Sequence, residues 1–236
     1  MLPDRRHQNR PSALAFLLLS CLAGAAHGQT SADLSLLSEY AGRGTALSTH
    51  PVAQLRVERD IRIDADGAGA WYAGTFASPV TLGGRDLGQL SVYGGRAQRL
   101  GTILSWDAGA TRNVYLRDSR WNYHEFYAGV TWNRLGARLF YSPAYYGDER
   151  SLYLDLNGAW PINERVQLAA HAGLLHPFEE EHGAPGEGGG RVDLRLALVT
   201  DVRDVSLQAG WQVKGTSYLP GSRRASALTA SASFRF

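Results

Sequence analysis

The sequence predicts an all-β fold, a transmembrane antiparallel up-and-down β-barrel of about 12 strands that follows a cleaved signal peptide. Three observations support this prediction: a secretory leader, long runs in which every second residue is apolar, and connections whose lengths alternate along the chain. Only every second side chain of a barrel strand meets lipid, so a chain of low mean hydropathy can still span a bilayer. The last strand shows the pattern clearly, with apolar residues at positions 228, 230, 232, 234 and 236.

Residues 1–28 form the predicted signal peptide. Arg5, Arg6 and Arg10 supply the charged region, an apolar run follows, and small residues at Ala26 and Gly28 suit cleavage before residue 29. The apolar run is shorter than the roughly 20 residues of a transmembrane helix. Cleavage leaves one predicted domain, an outer-membrane β-barrel at residues 29–236.

Removal of the leader also changes the charge and the thiol content. The sequence holds 24 Lys and Arg against 22 Asp and Glu, and the leader contains three of the former and one of the latter, which leaves 21 of each sign. A neutral chain gives no reason to expect nucleic-acid binding. Cys21 is the single cysteine and lies in the leader, so disulfide and thiolate chemistry are excluded from the mature chain. Lipoprotein acylation at Cys21 is a disfavoured alternative because Leu19 is bulky.

Alternation predicts where each strand lies. The predicted ranges are 33–43, 52–63, 70–79, 87–97, 100–112, 122–132, 135–144, 150–160, 165–175, 191–201, 205–215 and 225–236. The even-numbered connections are short and the odd-numbered ones mostly longer, which predicts that both termini are periplasmic and that the longer loops face outward. The longest connection, 176–190, is acidic and glycine-rich, and we expect a solvent-exposed loop there.

Aromatic residues cluster at the predicted strand ends. Such residues prefer the two membrane interfaces, so we expect two girdles. The periplasmic girdle would contain Trp71, Trp132, Trp160 and Phe236, and the outer one Trp121, Tyr123, Tyr145, Tyr146 and Tyr218. A soluble β-sandwich is the alternative fold, because it shows the same alternation. The parity of the connection lengths and the apolar strand that ends the chain favour the barrel.

Several segments together resemble one family of proteobacterial outer-membrane proteins, the TorF-family porins. The segments are SEYAGRG at 38–44, PVAQ at 51–54, WYAGTFAS at 71–78, EFYAGV at 125–130, YSPAY at 141–145 and YLD at 153–155. The likeness runs from about residue 34 to about residue 176. It implies an outer-membrane barrel and brings no catalytic or binding residues. Phe236 resembles the C-terminal signal of the barrel-assembly machinery, which is therefore an expected partner.

The polar parity of the strands predicts which residues face the lumen, because an Arg facing lipid at the midplane costs about 2–4 kcal/mol. These residues are Glu39, Arg43, Arg56, Glu58, Asp60, Arg62, Asp107, Glu125, Arg138, Asp155, His171, Asp193, Arg195 and Lys214. Two interpretations remain open: the charges line water and tune which solutes pass, or they pair with one another and plug the lumen. A barrel of about twelve strands permits both.

The function favoured by these observations is porin-like passive passage of small solutes through the outer membrane. A non-conducting barrel with a structural or loop-binding role is the alternative, and a lipid-modifying enzyme is less favoured because no G-x-S-x-G motif is present. We predict no catalytic, cofactor or metal site. His176, the glutamates at 179–181 and His182 could ligate a cation, but their glycine-rich loop favours a solvated acidic segment. The expected partners are outer-membrane lipid and small solutes, without nucleic acid.

Overall fold

The computed structural model describes residues 30–65, 68–147, 149–178, 190–215 and 224–235. The predicted signal peptide, Phe236, Tyr218 and most of the acidic 176–190 connection lie outside these ranges, as does the side chain of Arg62. No helix in the described part of the chain is long and apolar enough to cross a membrane.

Twelve antiparallel strands close into a barrel, which confirms the predicted fold class. The described residues form fourteen strands in all: β1 (Thr30–Leu37), β2 (Tyr40–Gly42), β3 (Thr45–Ser48), β4 (Val52–Ile63), β5 (Gly69–Leu82), β6 (Arg85–Leu100), β7 (Leu104–Leu116), β8 (Tyr123–Trp132), β9 (Leu135–Tyr145), β10 (Glu149–Pro161), β11 (Val166–Pro177), β12 (Arg191–Val202), β13 (Val205–Gly215) and β14 (Arg224–Arg235). Neighbours in sequence pair around the wall from β4 to β14, and β1 closes it by pairing with both. Only β2 and β3 stand apart, as a separate two-stranded hairpin.

The outer surface of the barrel is an apolar belt. On β8 and β9, Phe126 pairs with Tyr141 and Val130 with Ala137, and their side chains point outward. Phe126 is 54% exposed and Leu198, across the barrel, is 51% exposed. A continuous belt of this kind is stable in contact with hydrocarbon and not with water. Trp71, Trp132 and Trp160 are exposed at strand ends, where a girdle was expected.

The end of the barrel where β1 begins and β14 ends is called the terminal end, and the opposite end is called the hairpin end.

At the hairpin end, the prediction of an outer aromatic girdle is wrong for several residues. Tyr123 and Tyr145 are buried inside the barrel, and Tyr146 and Trp121 pack against the same cluster. Their rings pack against one another there, and such aromatic pairs contribute about 0.5–1.5 kcal/mol beyond the area that they bury.

The prediction for the first strand is also wrong in part. The strand ends at Leu37 instead of residue 43, and the chain leaves the wall after Ser38, whose N–H still donates to Ala230 O on β14. Glu39 and Arg43 therefore enter the lumen from this connection and not from a wall strand. The expected long loop at 80–86 is instead a tight turn at Gly83 and Gly84, whose φ values of 55° and 71° suit a type I′ hairpin.

Candidate functional site

The connection after β1 folds into the barrel as a hairpin, residues 40–48, which we call the inner hairpin. Arg43 and Gly44 form its tip with φ values of 52° and 74°, as a two-residue type I′ turn requires. The tip reaches the wall at β12, because a Cβ on Gly44 would lie 2.8 Å from Arg191 Cβ. On the other side, Leu47 belongs to one buried cluster with Val80 and Leu87. The inner hairpin therefore crosses the lumen.

One ion pair fixes the tip of the inner hairpin. Both guanidinium Nη atoms of Arg43 donate to the Glu125 carboxylate on β8, and the Nη2–Oε2 distance is 2.8 Å. Glu125 is 3% exposed and also accepts a hydrogen bond from Asn113 Nδ2 at 3.3 Å. The guanidinium carbon lies 4.9 Å from the Phe140 ring and 4.8 Å from the Tyr153 ring. The bidentate ion pair and the stacked rings offset the free-energy cost of removing the two charged groups from water.

Two further contacts hold the inner hairpin and its preceding segment against β12 and β13. Lys214 Nζ on β13 donates to Glu39 Oε1 at 2.9 Å, and the carboxylate and the ammonium are both largely buried. Arg191 Nη1 on β12 donates to Thr45 Oγ1 at 2.8 Å. Together with the Arg43–Glu125 pair, these contacts join the segment to opposite sides of the barrel.

The lumen at the hairpin end is packed with apolar and aromatic side chains, which we call the mouth cluster. Its buried members are Leu47, Val80, Leu82, Leu87, Tyr115, Tyr123, Tyr145, Tyr153 and Leu175. The ring centres of Tyr123 and Tyr145 are 4.9 Å apart, and those of Tyr115 and Tyr123 are 6.3 Å apart. Within the described residues, this cluster fills the barrel where the predicted outer loops begin.

Asp118 and Tyr146 lie at this end, outside the spanning strands, and have shifted pKa values. Side-chain hydrogen bonds from Arg120 lower the pKa of Asp118 to about 2, and Arg120 Nη2 lies 2.8 Å from Asp118 Oδ2. Asp118 also caps the short 3-10 helix Ser119–Trp121. Burial raises the pKa of Tyr146, in the turn that follows β9.

Between the mouth cluster and the terminal end, the lumen contains two polar cavities. The larger is about 590 Å³ and the smaller about 350 Å³. Both are lined by Tyr40, Arg43 and Arg56, so the inner hairpin borders both. The larger cavity extends from Tyr115 near the mouth to Ala70 near the terminal end. Polar cavities of this size can hold small solutes.

Most of the predicted lumen charges are paired within the described structure. Arg138 Nη2 lies 2.6 Å from Asp107 Oδ2, which also accepts a hydrogen bond from Tyr72 Oη at 3.3 Å. His171 lies between two carboxylates: its Nδ1 is 3.2 Å from Asp155 Oδ1, and its Nε2 contacts Asp193. These pairs support the self-pairing interpretation for much of the wall.

Four predicted residues stand apart from those pairs. Arg56, Glu58, Asp60 and Arg195 line the cavities and take part in no ion pair among the described residues. The lumen therefore keeps charges of both signs that are free to meet water or a solute. The predicted charges are thus divided between a self-paired set and a set that faces open space.

The aromatic residues of the lumen were missed, because residues were assigned to the lumen by their charge. Tyr72, Phe76 and Tyr93 line the larger cavity, on the inward parity of β5 and β6. Strand parity alone could have found them, since Tyr72 and Phe76 are four residues apart on one strand and so share a face.

Comparison with solved structures identifies the fold. The chain is similar to the NanC porin in a rhombohedral crystal form, with a TM-score of 0.56 and 13% identity over 87% of this chain and 98% of the porin chain. It is also similar to a membrane protein from a study of in-meso crystallization, with a TM-score of 0.56 and 10% identity over 88% of this chain and 83% of that one. Identities this low show a common fold and nothing further.

Comparison with protein families gives a match over most of the chain, whereas a comparison with curated proteins found no match. The matching model is described as a bacterial protein of unknown function, Gcw_chp, and it covers residues 23–187. That span includes the inner hairpin, Glu125 and the wall of the larger cavity. The chain therefore belongs to the Gcw_chp family of bacterial proteins.

Proposed function

We propose that the protein is an outer-membrane channel through which small polar solutes pass passively. The observation that carries this proposal is the open, charged lumen, in which two cavities of about 590 and 350 Å³ are lined by Arg56, Glu58, Asp60 and Arg195. Charges that only plugged a barrel would all be paired, because an unpaired charge in a dry interior is costly. The porin-like fold supports the same function, and the resemblance to the TorF family supports an outer-membrane barrel.

The proposed topology follows from the same fold. Both termini lie in the periplasm, so the hairpin end faces outward, and the apolar belt contacts outer-membrane lipid. Phe236 is the proposed signal to the barrel-assembly machinery. In this arrangement the inner hairpin and the mouth cluster form the constriction of the channel, and solutes enter the cavities when the constriction opens.

A second function is favoured by one specific observation. The mouth cluster and the inner hairpin fill the hairpin end of the lumen in the described residues. A barrel that keeps this packing at all times conducts nothing and serves envelope structure or binding through its loops. The two functions differ in whether the inner hairpin moves. No enzymatic role is proposed.

Single-channel recording in planar bilayers separates the two functions. We expect small or infrequent conductance steps from the folded wild-type protein and larger or more frequent steps from Arg43→Ala, because that variant removes the ion pair at the hairpin tip. Arg165→Ala, an exposed turn residue at the terminal end, is the matched control and should behave as wild type. Silence from all three folded proteins would refute the channel and favour the structural role.

A further inference from the structure

We propose that the larger cavity binds a small cyclic saccharide, of one or two sugar units, along an aromatic track. We define this track as Tyr40, Phe76, Tyr93 and Tyr72, which lie in this order from the inner hairpin toward the terminal end. The inference deepens the proposed function, since it names the class of solute that the channel would accept. It rests on the placement of ring faces, on the charges beside them and on the size of the cavity.

The rings form two neighbouring pairs along the wall, one near the inner hairpin and one nearer the terminal end. The ring centres of Tyr40 and Phe76 are 6.4 Å apart, and those of Tyr72 and Tyr93 are 6.5 Å apart. Phe76 and Tyr72 are four residues apart on β5, which corresponds to about 13 Å of strand. All four residues line the larger cavity and are half-buried, so part of each ring remains open to it.

A glycine lets the central ring lie against the wall. Tyr93 on β6 pairs with Gly74 on β5, between Phe76 and Tyr72. A Cβ on Gly74 would lie 2.5 Å from Tyr93 Cζ, so no larger residue fits beneath the phenol. The absence of a side chain at position 74 therefore allows the Tyr93 ring to cover the wall, as aromatic residues do over glycines in other sheets. A flat ring offers its apolar face to a solute.

A row of charged residues runs beside the track, on the neighbouring strand β4. In the β4–β5 register, Arg56 pairs with Phe76, Glu58 with Gly74 and Asp60 with Tyr72. The three charged residues also line the larger cavity. Carboxylates accept hydrogen bonds from hydroxyl groups, and guanidinium groups donate hydrogen bonds to hydroxyl oxygens. An apolar surface therefore lies directly beside a row of acceptors and donors.

The mixed sign of this row selects among ligand classes. Arg56 lies 5.7 Å from the Phe76 ring centre and 6.0 Å from that of Tyr93, so a cation above these rings would meet an existing positive charge. An anion would meet Glu58 and Asp60. A neutral solute with apolar ring faces and hydroxyl edges avoids both penalties, and a saccharide has this chemistry.

One polar atom of the cavity wall is without a partner. Gln89 Oε1 is buried and forms no hydrogen bond among the described residues. Buried polar atoms normally have a partner, and water or a hydroxyl group that enters the cavity would supply one. The cavity of about 590 Å³ falls within the size range of small-molecule sites.

Equilibrium binding tests this inference without any need for conductance. Isothermal titration calorimetry of the folded, full-length protein in detergent uses glucose and maltose as probes, with sorbitol and choline as comparison solutes. We expect saturable binding of at least one sugar, none of choline, and weaker binding of acyclic sorbitol, which presents no ring face. Tyr93→Leu should weaken sugar binding about fivefold, and Tyr93→Phe should keep it within about twofold, since the ring remains.

The matched control is Tyr141→Leu, because Tyr141 is a wall tyrosine on the outward, lipid-facing parity of β9. It should bind the sugar as wild type does. Absence of saturable binding by both sugars, choline binding as tight as theirs, or unchanged binding by folded Tyr93→Leu would each overturn the inference. A barrel that conducts but binds no sugar refutes this inference alone, and one that binds but never conducts refutes the channel alone.

Discussion

The two ends of the lumen are built from the same strands with the same alternation, yet different kinds of side chain point into them. Toward the terminal end, inward positions carry charges such as Glu58 and Asp60 beside open space. At the hairpin end, inward positions carry Tyr115, Tyr123 and Leu175, which pack against one another. Alternation predicts only that a side chain points away from lipid. It does not predict whether the lumen around that side chain contains water or a dry core. A dry core forms at the hairpin end because Leu47 of the inner hairpin packs against the inward apolar side chains there.

The largest expected effect comes from leaving a buried charge unpaired at the boundary between these two regions. Glu125→Leu leaves the Arg43 guanidinium without its carboxylate, and we expect a loss of about 3–5 kcal/mol in the free energy of unfolding. Urea unfolding in lipid vesicles, followed by tryptophan fluorescence, measures this loss. The double variant Arg43→Leu with Glu125→Leu should recover most of it, because neither charge remains. A single variant as stable as wild type would show that the ion pair does not hold the inner hairpin.

The comparison of the two ends also shows what sequence can predict. The bounds predicted for β4 and β13 agree with the structure, because lipid on one side and water on the other impose a strict period of two. The period continues through Tyr40 and Gly42, and nothing local distinguishes a strand in the wall from one folded inside it. The inner hairpin was therefore missed, and Glu39 and Arg43 line a cavity from this hairpin and the segment before it, not from a wall strand.

The error at the hairpin end has a different cause. Tyr123 has the same parity as Glu125 on β8, so its inward orientation could have been predicted had parity been weighed above position at a strand end. Tyr145 offered no such signal. The pairing between β9 and β10 shifts register between Glu149 and Ser151, so parity cannot be extended past this irregularity. Long-range packing, and not local pattern, determines the contents of this end.

A smaller effect should follow from displacing the tip of the inner hairpin. Gly44→Ala places a Cβ 2.8 Å from Arg191 Cβ, at a φ of 74° that L-residues rarely adopt. We expect a loss of about 1–3 kcal/mol in the free energy of unfolding, together with more frequent channel opening. Gly84→Ala is the matched control, because Gly84 has a similar φ of 71° and nothing within 4 Å of its added Cβ. Equal losses in both variants would mean that backbone strain alone acts, and that the tip does not press on β12.

The smallest effect on stability, and the clearest on transport, should come from the charged wall of the larger cavity. Arg138→Ala removes the partner of Asp107, but Arg138 is 44% exposed to the lumen, so we expect a loss below about 1 kcal/mol. The Asp107 carboxylate then faces the larger cavity without compensation and should shift ion selectivity toward cations. Reversal potentials across a salt gradient measure this shift, and Arg134→Ala, in the turn between β8 and β9, is the control. A reversal potential that Arg138→Ala leaves unchanged would place the ion path elsewhere and remove Asp107 from its lining.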